Sequence, residues 1–159
     1  SGLQPLFYGG EQEKGLRAGT EAVHQIAGMA KALELCYEHL EENRQKIIDL
    51  KVFTWGCLQE AFPVIKSNGS VATTFYSLLN VQLPISEEQS TMILFTLDMK
   101  GIAVSRGSAC QSGSAKPSHV LAEMLSESDL KKPSIRISFS YTSSKEEVLF
   151  LVAALKELV

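Results

Sequence analysis

A single thiol, Cys110, stands near the centre of residues 101–116 (GIAVSRGSACQSGSAK), a stretch made mostly of Gly, Ser and Ala. The thiolate is the reactive form of cysteine, and Arg106 and Lys116 are basic neighbours that favour it. Free cysteines usually pack as small core hydrophobes, so a thiol in a Gly/Ser run is unusual and is a candidate nucleophile. An incidental loop cysteine fits the residue types as well. Arg136 is a second candidate. It sits in the alternation Ile, Arg, Ile, Ser, Phe at 135–139, where a strand puts Arg136 and Ser138 on the polar face. On residue types alone a surface ion pair remains open for it. Thr20, between Gly19 and Glu21, reads as a helix N-cap.

The elements around these residues follow from spacing. Residues 1–20 are glycine-rich and polar, and read as an extended ribbon that leans on something else. Val23, Ile26, Ala27, Ala30, Leu33 and Leu40 recur at helical spacing, and the pattern continues through Ile47, Ile48 and Leu50. A long helix or helix pair to about residue 60 is expected, of the kind that bridges two lobes. Residues 62–65, 73–76, 79–83 and 102–104 read as short strands. Ser86, with Gln89 three residues on, opens a second helix that Gly101 stops in a left-handed conformation. Pro117 or Ser118 begins a short helix carrying His119. Ser143 or Ser144, with Glu146 and Glu147, caps a last helix with the stripe Val148, Leu151, Val152, Leu155 and Leu158. The expected fold class is α+β, a sheet with helices on one face.

The 159 residues are 45% hydrophobic, enough for a core without staples. Basic and acidic side chains, 15 and 18, are evenly mixed, which argues against nucleic acid or an anionic membrane as partner. Cys36, Cys57 and Cys110 are far apart and odd in number, so neither a zinc site nor a disulfide framework is expected. A reducing, cytoplasmic compartment fits. No apolar run approaches the ~20 residues of a membrane span. The chain lacks an initiator Met, and its first two residues read as a scar or a cut point. Cys36, Cys57 and Trp55 are assigned to packing, as is His24. His39 reads as solvated and His119 as a loop residue. Glu13 and Arg17 are assigned to holding the ribbon or pairing across an interface.

Four stretches, GGEQEKGLRAGTEAVHQIAGM at 9–29, LDMKGIAVSRGSACQSG at 97–113, PSHVL at 117–121 and SIRISFSYTSSKEEV at 134–148, occur in one order over nearly the whole chain. Together they resemble the C-terminal part of a cysteine desulfurase, the pyridoxal-phosphate enzyme that takes sulfur from L-cysteine. The resemblance is to the class with a long Ser-x-Gly-Ser-Ala-Cys loop.

The resemblance implies the small C-terminal domain of a fold-type I pyridoxal-phosphate enzyme. Residues 1–20 would be a ribbon from the large-domain junction, and 21–159 the small domain with its linking helix. Cys110 would attack the substrate sulfur, leaving alanine and a persulfide for iron–sulfur cluster or thio-cofactor assembly. Arg136 would clamp the substrate carboxylate. Thr20 would reach the cofactor phosphate of the other subunit in a homodimer. An acceptor or scaffold protein would take the sulfur, and Arg106 would tune the thiolate or acceptor docking. The family's aldimine lysine belongs to a segment before Gly9, so this chain alone is expected to lack the cofactor and to be inactive. A non-catalytic sulfur-accepting domain and a related lyase of the selenocysteine type are the alternatives.

Overall fold

A computed structural model describes residues 2–86, 92–106 and 118–158. The chain separates into two compact units, Ser1–Leu40 and Glu41–Val159. The first opens as an irregular ribbon, tightened by a 3-10 turn at Gln12–Gly15. Arg17 holds this ribbon together, as expected. Its Nη1 donates to the Gly19 carbonyl at 2.7 Å and the Thr20 carbonyl at 3.2 Å.

Helix α1 (Val23–Glu38) begins three residues after Thr20, so Thr20 is not its N-cap. The Val23 N–H binds the Glu21 carbonyl, and the Ala22 carbonyl then accepts the first helical bond from Ile26 at 3.0 Å. A tight turn has moved the helix start. The helical stretch divides at His39 (φ −116°, ψ 17°), which makes it a pair rather than one long helix. No residue of α1 is buried, and Val23, Ile26, Met29 and Leu33 are each at least half exposed. Its apolar stripe is a bare face, and His24 and Cys36, assigned to packing, lie exposed on it.

The second unit holds the core. Helix α2 (Leu40–Ala61) leads into an antiparallel sheet of order β1 (Lys66–Ser67), β2 (Leu78–Gln82), β3 (Ser134–Ser138). Helices α3 (Ile93–Met99), α4 (His119–Ala122), α5 (Glu127–Leu130) and α6 (Lys145–Lys156) complete it. Leu79 and Val81 of β2 and Ile135 and Ile137 of β3 share one core with Leu50 and Leu58 of α2, Leu97 of α3 and Leu151 and Leu155 of α6. Successive strand residues point to opposite faces. The helices therefore cover the face carrying these residues, and Asn80 and Arg136, paired across β2 and β3, belong to the other. Cys57 and Trp55 pack against the core as expected.

Several expected strands are not strands. Residues 62–65 form a turn that ends α2, with Phe62 N–H on the Leu58 carbonyl and Ile65 N–H on the Phe62 carbonyl. At 73–76 the N–H groups of Thr73 and Thr74 turn back to the Ser70 carbonyl. In both places a local bond satisfied the backbone before a ladder could. The expected strand at 102–104 contracts to one bridge at Ser105, while Ile102 and Val104 pack on the core. Gln89 and Cys110 lie outside the described residues, and α3 is described with Met92 as its N-cap.

Two termini follow the local signals. Ser144 and Glu147 form a reciprocal capping box on α6, at 3.2 and 2.9 Å. Helix α3 ends in a Schellman motif: Gly101 (φ 76°) donates to the Asp98 carbonyl and Ile102 to the Leu97 carbonyl. A Cβ on Gly101 would meet nothing within 4 Å, so the cost of a side chain there is conformational. Gly101→Ala is expected to lower stability by about 1 kcal/mol in denaturant titration.

Candidate functional site

The site is built from Arg136 upward. Its strand is held on both sides, by β2 through the Asn80 pairing and by Ser105 through two backbone bonds at 2.7 and 3.1 Å. The period of β3 buries Ile135 and Ile137 and presents the Arg136 guanidinium to a pocket of about 180 Å³. Asn68, Thr74, Phe75 and Asn80 are among the lining residues, and none of the lining residues is acidic. The Arg136 Nε is buried and has no hydrogen-bond partner among the described residues. An unpaired buried donor costs about 1–3 kcal/mol, and more when charged. A cation with an unsatisfied donor in an acid-free pocket has the chemistry to take an anion. Its planar fork suits a carboxylate.

A polar network sets the floor beside it. Asn68, itself buried, donates from Nδ2 to Asn80 Oδ1 and to Ser134 Oγ, both at 2.9 Å. Its N–H binds the Asn80 carbonyl at 2.8 Å. Thr74 and Phe75, which also line the pocket, are reached by Lys51 from α2. Lys51 is 3% exposed, and burial pushes its ammonium pKa below the ordinary lysine value. Sequence reasoning missed both devices. Lys51 sits at helical spacing within the buried stripe Ile47, Leu50, Thr54 and Leu58, and that position was the signal available. Asn80 was marked by its place on the polar phase of β2.

The other sequence candidates are placed differently. Thr20 is exposed in the first unit, with its carbonyl on Arg17. Cys110 and the rest of residues 107–117 lie outside the described residues. The lining of the Arg136 pocket does not by itself fit pyridoxal phosphate. The Arg136 pocket is lined by no lysine or histidine, and the buried Lys51 ammonium is bonded to Thr74 and Phe75. No group of three or more potential metal ligands occurs among the described residues. None of the described helices is long and apolar enough to cross a membrane.

Residues 3–151 match the aminotransferase class-V family model. The chain belongs to that family. Among class-V relatives, a putative cysteine desulfurase IscS 1 of Bacillus subtilis is 42% identical over 148 residues, covering 92% of this chain and 38% of the relative. A cysteine desulfurase IscS of Proteus mirabilis is 34% identical over 150 residues, covering 94% and 36%. A NifS-like protein from Rickettsia africae superposes with a TM-score of 0.74 at 29% identity, over 98% of this chain and 39% of that one. A second NifS-like protein gives 0.77 at 28%, over 98% and 38%. The class-V chain thus spans under two fifths of the length of each of these relatives, and the fold is that of a portion of a fold-type I enzyme.

Proposed function

We propose that this chain is the small-domain portion of a pyridoxal-phosphate-dependent cysteine desulfurase. The buried, unpartnered Arg136 Nε carries the reading, because a guanidinium with an unsatisfied donor suits the carboxylate of an amino acid. Chain connectivity supports it. Ser105 is bonded to the Arg136 backbone, and Cys110 follows five residues later. Covalent geometry alone keeps the two Cα atoms of residues 105 and 110 within about 18 Å, so a thiol at 110 can serve a ligand held at Arg136.

In this reading the Cys110 thiolate attacks Sγ of L-cysteine and the Cβ–Sγ bond breaks. A proton is added at Cβ, alanine leaves, and the sulfur stays as a Cys110 persulfide for an acceptor protein in iron–sulfur cluster or thio-cofactor assembly. Pyridoxal phosphate supplies the electron sink, and a part of the protein beyond this chain carries it. This chain by itself is then inactive. Thr20 serves the cofactor phosphate of the other subunit in a homodimer, and the bare apolar face of α1 suits burial in such an assembly. A free thiol nucleophile fits the reducing cytoplasm.

The test is a substrate panel on the full-length protein loaded with cofactor, with alanine and sulfide measured together. L-Cysteine is expected to give one alanine for each sulfur released in the presence of a reducing thiol. Preference for L-selenocysteine would assign the lyase reading. Failure to act on either would leave the sulfur-accepting one.

A further inference from the structure

Lys51 is a cation buried where an apolar side chain would fit. It lies on α2 among Ile47, Leu50, Thr54 and Leu58, and desolvation is the cause that shifts its pKa, with no charged neighbour contributing. Three acceptors lie within hydrogen-bond distance of the ammonium, all in one segment: Thr74 Oγ1 at 2.9 Å, the Phe75 carbonyl at 3.1 Å and the Thr74 carbonyl at 3.3 Å. Thr74 and Phe75 are exposed and line the Arg136 pocket. The Thr73 and Thr74 N–H groups bond locally to the Ser70 carbonyl and the Leu78 N–H to the Phe75 carbonyl, while the far end of the segment is held by the Phe139 N–H on the Ser77 carbonyl at 2.8 Å. Lys51 is thus the long-range tether of Thr74 and Phe75, two residues that line the same pocket as Arg136.

Burying a lone ammonium against neutral acceptors is a poor way to stabilise a core, since a well-packed apolar residue of similar volume commonly does as well or better. The Thr74 and Phe75 carbonyls could turn to water instead, because both residues are exposed. A buried ammonium whose bonds all go to residues lining a pocket points to ligand binding.

We infer that Lys51 is a positioning residue for the carboxylate site at Arg136, holding Thr74 and Phe75 at the distance that closes the pocket on its ligand. The inference rests on the reading of Arg136 as an anion receptor. The probe is L-alanine, which has the amino-acid carboxylate and no thiol, titrated into the full chain while the Arg136 Nε–Hε resonance is followed. Wild type is expected to shift this resonance saturably. Lys51→Met is expected to bind L-alanine about tenfold more weakly while its Tm stays the same or rises. A merely structural lysine would lower Tm together with affinity, or leave affinity untouched.

Thr74→Val removes one acceptor at an exposed site, so it keeps the test open if Lys51→Met does not fold. About threefold weaker binding at unchanged Tm is expected. Arg136→Gln separates the two levels of the argument. If Arg136→Gln abolishes binding while Lys51→Met and Thr74→Val bind as wild type does, the tether is overturned and the receptor stands. If wild type does not shift, or Arg136→Gln still binds, the receptor reading falls and the tether falls with it.

Discussion

Cys110→Ser in the full-length, cofactor-loaded protein is expected to bind L-cysteine and release almost no sulfide, a fall of at least about 10³-fold in kcat. A hydroxyl at this position is neither ionised at neutral pH nor able to form a persulfide, so the lost step has no substitute. Mass spectrometry after a single turnover provides the second readout. Wild type gains the mass of one sulfur on the peptide containing Cys110, and the variant does not. Retention of wild-type sulfide release by Cys110→Ser would make the loop thiol incidental and remove it from the mechanism. The prediction depends on local composition and on the Ser105–Arg136 bridge, which ties the chain five residues before Cys110 to the strand that carries Arg136.

The second large effect belongs to Arg136. Arg136→Gln is expected to raise KM for L-cysteine so that kcat/KM falls about 10²-fold, which corresponds to about 3 kcal/mol of lost charge-assisted hydrogen bonding. Arg136→Lys is expected to recover only part of this, because an ammonium keeps the charge and loses the planar fork. Stability should move the other way. The guanidinium Nε is buried without a partner, so removing it relieves an unsatisfied donor, and Arg136→Gln is expected to keep or raise the wild-type Tm. An unchanged KM in Arg136→Gln would rule out the clamp. A lowered Tm would show that the donor has a structural partner.

The features legible in the chain are those whose partners lie within a few residues. The capping box needs only Ser144 and Glu147, and the α3 stop only Gly101 and the four residues before it. The β3 alternation that separates Ile135 and Ile137 from Arg136 is a period of two, readable from five residues. Composition drew attention to Cys110 and alternation put Arg136 on a polar strand face, while their roles came only from the resemblance of four ordered stretches, which pointed to the class-V family that residues 3–151 match.

What required the tertiary structure was the other side of each contact. Thr73 and Thr74 have strand-forming side chains, yet Ser70 is near enough to take their N–H groups, and the segment turns. Thr20 has a capping side chain, but a turn at Glu21 starts the helix beyond it. The spacing of Lys51 puts it on the stripe of α2 with Ile47, Leu50 and Leu58, but only the fold brings the carbonyls of Thr74 and Phe75, 23 and 24 residues away, onto its ammonium. The Arg136 Nε is an ordinary donor in the sequence and becomes an orphan when the sheet and the 70–76 turn close around it. Local propensity acts through bonds between residues near in the chain and is written in their order. Burial and long-range satisfaction depend on which surfaces meet, and only the assembled fold decides that.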